Sequence, residues 1–133
     1  MTTQEVYINK YDWYVVFLYN VSSDDLYDIA YYSKSVGISE KNIAKTVRLI
    51  ERYKNIGVTA ADYYKRNAVV IVGSADSSKQ FFNTLIHELK HLVDFIAKSE
   101  DIELTGEELA YMIGDIGMEL FPFVSKYICS YYD

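Results

Sequence analysis

The feature that most constrains the fold is a run of five consecutive apolar residues, 68–72, which ends at Gly73. A short continuous apolar run is typical of a β-strand covered on both faces, because a half-exposed strand alternates apolar and polar residues. The chain has 133 residues, half of them hydrophobic, which predicts one domain over 1–133. A chain of this length buries a core without disulfides, and Cys129 has no second cysteine to pair with.

The first half of the chain combines a β-rich segment with two helices. Residues 5–19 are rich in Val, Ile, Tyr, Phe and Trp and predict one long strand or a hairpin. Ser22 and Ser39 are expected N-caps of two helices that end near Gly37 and Gly57, respectively. A polar, aromatic connection is expected over 58–66.

The second half predicts two more helices after the apolar strand. Ser77 and Gln80 have the capping-box spacing and are expected to begin a helix over about 78–98. A last helix is expected after Thr105, with Pro122 as a kink or break. The order of strands, two helices, strand and two helices predicts an α+β domain with a short mixed or antiparallel sheet.

Charge and termini bear on the classes of partner. Thirteen Lys and Arg against nineteen Asp and Glu give a net charge of −6, and the acid excess is concentrated in 100–133. No basic cluster along the sequence suggests a nucleic-acid partner. The apolar run 13–19 is far shorter than the roughly 20 residues that span a bilayer, and the N-terminus lacks a signal-peptide pattern. We therefore expect no nucleic-acid or membrane partner and a cytoplasmic location.

Both histidines of the chain lie in one five-residue window, His87-Glu88-Leu89-Lys90-His91, within the predicted third helix. Residues four apart share one helix face, so both imidazoles can reach one tetrahedral ion. A Glu next to the first His can accept a proton from metal-bound water. The motif therefore predicts a zinc site with Glu88 as general base. The competing interpretation is an ordinary amphipathic helix with a solvated face, although Phe95 on that face suggests that it is partly covered.

A third zinc ligand must be a carboxylate, because no further histidine exists. The acidic residues in range are Asp94, Glu100, Asp101, Glu103, Glu107, Glu108 and Asp115. Thr105 and Glu108 have capping-box spacing, so Glu108 is expected to bond the Thr105 backbone. This leaves Glu107 as the predicted ligand, with Glu108 next. Asp94 projects from the histidine helix and is better placed to orient a ligand than to bind the metal.

These residues resemble those of zincin metallopeptidases, in particular the gluzincin group. The resemblance consists of the His87-Glu88-x-x-His91 helix, a Glu on the following helix, and residues 107–111, which are similar to an E-x-x-A-D pattern. Tyr111 replaces the last Asp, and Asp115 or Asp94 would have to supply its orienting role. Residues 67–118 further resemble short, largely uncharacterised phage-like and bacteroidal peptidases with an "FFNTLIHE"-type helix.

The resemblance implies a zinc-dependent peptidase with a small zincin-like fold. It implies that the strand 68–72 lies at or near a sheet edge that pairs with an extended peptide substrate. Tyr111, Tyr63 and Tyr64 are candidates to stabilise the oxyanion.

Two alternatives stay open. The chain could be a non-catalytic binding module on a zincin-like scaffold, such as a phage or mobile-element accessory protein. It could also be a helical partner-binding domain in which the histidine pair is accidental. The sequence does not indicate an oligomeric state.

Overall fold

In the computed structural model of the chain, residues 1–129 are described, and they form four helices and a four-stranded sheet. A single 3₁₀ turn over Ser23–Asp25 leads into the first helix. In chain order the elements are β1 (Thr2–Ile8), β2 (Trp13–Val21), α1 (Leu26–Ser35), α2 (Glu40–Arg52), β3 (Gly57–Asp62), β4 (Asn67–Gly73), α3 (Ser78–Ser99) and α4 (Glu107–Ile128).

The sheet is mixed, with the strand order β1-β2-β4-β3. β1 and β2 form an antiparallel hairpin, so the segment 5–19 is two strands, joined by a turn in which Asp12 has a φ of 58°. β2 pairs in parallel with β4, and β3 pairs antiparallel with β4. The prediction of an α+β domain with a short mixed sheet is confirmed.

The helices cover the sheet on both faces. Val70 and Val72 of β4 pack with α3 and α4, whereas Val69 and Ile71 pack with α1 and α2. All five residues of 68–72 are at most 1% exposed. The predicted strand with two covered faces is therefore confirmed, and successive side chains enter opposite cores because they alternate along a strand.

One expectation about the region before α3 is wrong. Residues 58–66 are not only a connection, since 57–62 form β3. The strand 68–72 lies near one edge of the sheet, as expected, with β3 as the edge strand beside it. The sequence of β3, Gly-Val-Thr-Ala-Ala-Asp, has mostly small side chains and no clear apolar alternation. Its pairing depends on the neighbouring strand β4 more than on its own propensity.

The helix ends agree with the sequence at three positions and differ at α4. Ser22, Ser39 and Ser77 each accept a backbone N–H through the side chain, as expected of N-caps. The N-cap of α4 is Gly106, without a side-chain cap, so the predicted Thr105–Glu108 capping box is wrong.

Pro122 does not end α4, which continues to Ile128. The proline removes the N–H that would bond the carbonyl of Met118, and Met118 is 71% exposed. Water can therefore solvate that carbonyl, and the helix tolerates the missing hydrogen bond at its surface.

Candidate metal centre

The two histidines lie side by side on the exposed face of α3. Their Nε2 atoms are 3.1 Å apart, and their ring centroids are 4.8 Å apart. The spacing of four residues on one helix face produces this contact. The two Nε2 atoms therefore lie within hydrogen-bond distance of each other on the surface of the helix.

This geometry fits two ligands of a tetrahedral metal. With Zn–N distances of 2.0–2.1 Å and a tetrahedral angle, two ligating nitrogens lie about 3.3 Å apart. The observed separation of 3.1 Å is close to that value. The side chain of His87 is 63% exposed, so an ion can reach the pair from solvent.

Glu88 turns away from the solvent and is only 5% exposed. Its Oε1 lies 2.8 Å from the Thr59 hydroxyl of β3, which also lies 3.2 Å from the Glu88 carbonyl oxygen. Its Oε2 lies 3.9 Å from Nε2 of His87. One carboxylate oxygen is thus fixed by the edge strand, and the other faces the histidine pair.

Gly57 permits the close approach of β3 and α3 at this point. A Cβ at Gly57 would lie 2.5 Å from Cγ of Glu88 and 2.8 Å from Cγ2 of Thr84. The sequence indicates Gly57 as a helix stop, but its position against Glu88 depends on the packing of two separate elements. Gly57 and Thr59 are the site residues that sequence reasoning missed.

A polar cleft of about 250 Å³ opens beside the carboxylate of Glu88. Its polar lining combines His87 and Glu88 with carboxamide side chains that can donate or accept hydrogen bonds. The lining residues are Asn55, Ile56, Gly57, Gln80, Asn83, Thr84, His87 and Glu88.

The structure does not bring the predicted third ligand to the histidine pair. Glu107 is the exposed first residue of α4, and the neighbouring Glu108 accepts from the Tyr11 hydroxyl at 2.7 Å and lies 3.6 Å from Nζ of Lys10. These partners explain why Glu108 does not form the expected capping box.

The start of α4 and the histidine pair lie on the same face of the sheet but near its opposite edges. Glu108 contacts the β1–β2 turn, whereas Glu88 contacts β3. Three strand spacings, about 14 Å in total, separate β1 from β3. Within residues 1–129, no three His, Cys, Asp or Glu side chains are grouped so that they can hold a metal ion. Glu107 as third ligand stays a prediction.

The remaining predicted residues also lie apart from the histidine nitrogens. Both carboxylate oxygens of Asp94 bond Nζ of Lys90, at 2.6 and 2.8 Å. Tyr111 is 68% exposed on α4, and Asp115 is exposed on the same helix. Among the described residues, none of these side chains forms a hydrogen bond with either histidine.

An aromatic series continues from the histidine pair to the end of the sheet. The rings of His91 and Phe95 are stacked at 6.4 Å, and Phe95 meets Tyr63 edge to face at 5.8 Å. Tyr63 in turn meets Trp13 at 6.2 Å. The expectation that Phe95 lies on a partly covered face is confirmed. Burial raises the pKa of Tyr63 above its ordinary value of 10.0.

Comparison with known proteins gives no counterpart: no protein-family model, no curated protein and no solved structure matches the chain. Within residues 1–129, no helix is long and apolar enough to cross a membrane.

Proposed function

We propose that this protein is a zinc-dependent peptidase whose centre lies on α3 beside the edge strand β3. The observation that carries the proposal is the convergence of the His87 and His91 Nε2 atoms, 3.1 Å apart, with a carboxylate oxygen of Glu88 3.9 Å from His87. Two nitrogens and an adjacent carboxylate are the donor set that this hydrolytic chemistry uses.

In this proposal His87 and His91 hold the metal, with Glu107 as the predicted third ligand and Glu108 as the next choice. Either carboxylate requires the first turn of α4 to leave the β1–β2 turn and approach α3. When bound, zinc lowers the pKa of a water molecule and polarises the substrate carbonyl.

Glu88 is the proposed general base. Its Oε2 faces the histidine pair and is placed to receive the proton of the attacking water and pass it to the leaving nitrogen. Thr59 fixes the other oxygen, so the carboxylate has one defined orientation.

The proposed substrate is a peptide, because β3 is an edge strand to which an extended chain can pair. The proposed location is the cytoplasm, since Cys129 is free and exposed.

The test begins with metal analysis of protein purified without a histidine tag. We expect about one zinc per chain in the wild type and its loss in His87→Ala and His91→Ala, with Lys98→Ala as an exposed control on the same helix. A wild-type protein without bound zinc at saturating metal would contradict the proposal and favour an accidental histidine pair.

Catalysis is then tested with a peptide library. Glu88→Gln keeps the size of the side chain but removes the base, so we expect zinc to stay bound and cleavage to fall by a factor of about 100 or more. Cleavage that persists undiminished in Glu88→Gln would mean that the general base lies elsewhere.

A second candidate function is a non-catalytic binding module on the same scaffold. It is favoured by the burial of Glu88 against Thr59 and by the distance of the α4 carboxylates from the histidine pair. Bound zinc without cleavage by the wild type would support this second function.

A further inference from the structure

The outer face of α4, which points away from the sheet, is apolar. Tyr111 is 68% exposed, Met118 is 71% exposed and Phe121 is 57% exposed. Between Tyr111 and Phe121 only Asp115 and Glu119 are charged, whereas most exposed side chains of α2 are charged. An exposed apolar face of this kind is typical of an interaction surface.

The residues of this face repeat with the spacing of a helix that pairs with another helix. One set of α4 side chains is buried against the sheet and α3. A second set points outwards at intervals of three, four, three and four residues, and we call it the outer seam: Tyr111, Gly114, Met118, Phe121 and Ser125. At 100° per residue these positions lie within about 80° of one another around the helix. Alternating intervals of three and four residues are the a and d pattern of paired helices.

The outer seam is complementary to itself in the antiparallel direction. When two copies of α4 are related by a twofold axis at the level of Ile116, Tyr111 faces Phe121 of the second copy and Gly114 faces its Met118. Two aromatic rings then meet, and the long Met118 side chain enters the space above Gly114, where a Cβ would meet nothing within 4 Å. A parallel pair would place Gly114 opposite Gly114 and leave a gap.

The charges at the two ends of α4 also favour the antiparallel direction. The first turn is acidic, with Glu107 and Glu108, and the last turn contains the exposed Lys126. Within the described part of the chain, neither Glu107 nor Lys126 forms an ion pair. Antiparallel pairing brings the acidic first turn of each copy beside the basic last turn of the other, whereas parallel pairing would join like charges.

We infer that a second copy of this chain covers the outer seam, so that the protein forms an antiparallel α4–α4 dimer with twofold symmetry. This interaction surface goes beyond the proposed function and requires no metal. In the dimer Glu107 lies beside Lys126 of the second copy, whereas the proposed zinc ligation would move it towards α3. The two roles are alternatives for one carboxylate.

The dimer interface is expected to be small and partly hydrated. The outer seam is about 21 Å long, and one pair of helices of that length buries less than the roughly 800 Å² per partner of a standard interface. Pro122 leaves the Met118 carbonyl without its helical donor. Gly114 of the second copy leaves room for a water molecule at that carbonyl, so its hydrogen bond is kept.

A second copy is favoured over a lipid surface because of charge and spacing. The acid excess of the chain is concentrated in 100–133, which include α4, and the anionic surface of a membrane would repel it. Intervals of three and four residues that match their own reverse are required by a helix partner, whereas a lipid surface requires only an apolar face.

Sedimentation velocity of the full chain measures the association, with EDTA present so that no metal takes part. We expect a reversible dimer with a Kd of about 10–100 μM. Met118→Glu places a charge in the centre of the outer seam and is expected to weaken the dimer by at least about tenfold. Ala44→Glu, which puts the same charge on the exposed face of α2, is the matched control and is expected to leave the Kd unchanged.

Asp115 tests the direction of pairing. It lies beside the twofold axis, so the antiparallel pair brings two Asp115 carboxylates towards each other, whereas a parallel pair places them on opposite flanks. Asp115→Asn is therefore expected to tighten the dimer about twofold at low salt. Glu119→Gln removes the same charge at a position about 120° from the outer seam and is expected to leave the Kd unchanged.

Disulfide trapping tests which residues face each other. In a Cys129→Ser background, protein with Gly114→Cys is mixed with protein with Met118→Cys and oxidised. We expect the mixed disulfide to form at least about fivefold faster than either self-disulfide, because positions 114 and 118 face each other while two copies of one position are offset by about 6 Å along the helix. Circular dichroism of each variant shows that the fold is kept.

A wild type that stays monomeric at several hundred micromolar would overturn the inference. A dimer that Met118→Glu does not weaken, or trapping without preference for the mixed disulfide, would also overturn it, because another surface or register would then join the copies. Binding of the monomer to phosphatidylcholine vesicles, lost in Met118→Glu, would assign the face to lipid instead. A dimer that binds no zinc contradicts only the proposed function, and zinc binding by a strict monomer contradicts only this inference.

Discussion

At the residue scale, the candidate centre depends on a few close contacts around Glu88. The carboxylate is held between the hydroxyl of Thr59 and the bare Cα of Gly57, while His87 and His91 remain at the surface. A carboxylate that is fixed on one side and lines a cleft on the other keeps one defined orientation.

Gly57→Ala is predicted to destabilise the protein by about 1–3 kcal/mol, because the new methyl group overpacks the contact with Glu88 and Thr84. Urea denaturation checks the value. The matched control is Gly114→Ala in α4, where a Cβ meets nothing within 4 Å. Since alanine is the better helix former, that change is expected to stabilise by about 0.5–1 kcal/mol. Equal effects of the two substitutions would contradict the tight contact at Gly57.

At the element scale, helix ends decide where the candidate ligands lie. Ser77 caps α3 and fixes the start of the helix that carries both histidines. By contrast, α4 begins at Gly106 without a side-chain cap, and Glu108 bonds the β1–β2 turn. Glu108 therefore makes a tertiary contact instead of the capping box that the local sequence around Thr105 predicts.

Ser77→Ala and Thr105→Ala test whether each residue caps its helix. Loss of the Ser77 cap is expected to cost about 1 kcal/mol of the free energy of unfolding. Thr105 only approaches Oε1 of Glu103, at 3.4 Å, so its replacement is expected to change stability by less than about 0.5 kcal/mol. Thermal or urea unfolding measures both losses of stability. An equal loss in Thr105→Ala and Ser77→Ala would mean that Thr105 caps α4 after all, as the sequence predicted.

At the scale of the whole molecule, a series of buried hydrogen bonds connects α4 to the sheet. The Tyr19 hydroxyl donates to Oε1 of Gln4 at 2.8 Å, and Nε2 of Gln4 donates to the carbonyl of Glu119 at 2.7 Å. Tyr19 is fully buried and Gln4 is 5% exposed. These satisfied bonds fix α4 over β1, away from the β3 edge where the histidines lie.

Unfolding at alkaline pH tests the contribution of the buried Tyr19 hydroxyl to stability. Burial raises the pKa of Tyr19 well above the ordinary value of 10.0. Because the folded pKa is the higher one, the stability contribution is complete below pH 10 and is lost as pH rises above it. We predict that the free energy of unfolding falls steeply above pH 10 in the wild type and less steeply in Tyr19→Phe.

Tyr64→Phe is the control for that experiment, since Tyr64 is 96% exposed. It is expected to keep the wild-type slope above pH 10. Tyr14 contributes in the same direction in all three proteins, because burial and its hydrogen bond to Glu5 raise its pKa to about 12. An unchanged slope in Tyr19→Phe would mean that Tyr19 does not control the alkaline transition.

The sequence by itself determined the features that depend on residues close together along the chain. The apolar run 68–72, the caps at Ser39 and Ser77, and the spacing of His87 and His91 each depend on neighbours within a few residues. Local patterns of this kind are set by helix and strand periodicity, which a sequence displays directly.

Only the tertiary structure decided which elements meet. It made β3 an edge strand, placed Thr59 and Gly57 against Glu88, and kept Glu108 at the β1–β2 turn. Contacts between segments distant in sequence depend on which apolar surfaces bury each other. A single sequence contains little local signal for that choice, because long-range packing overrides weak local preferences.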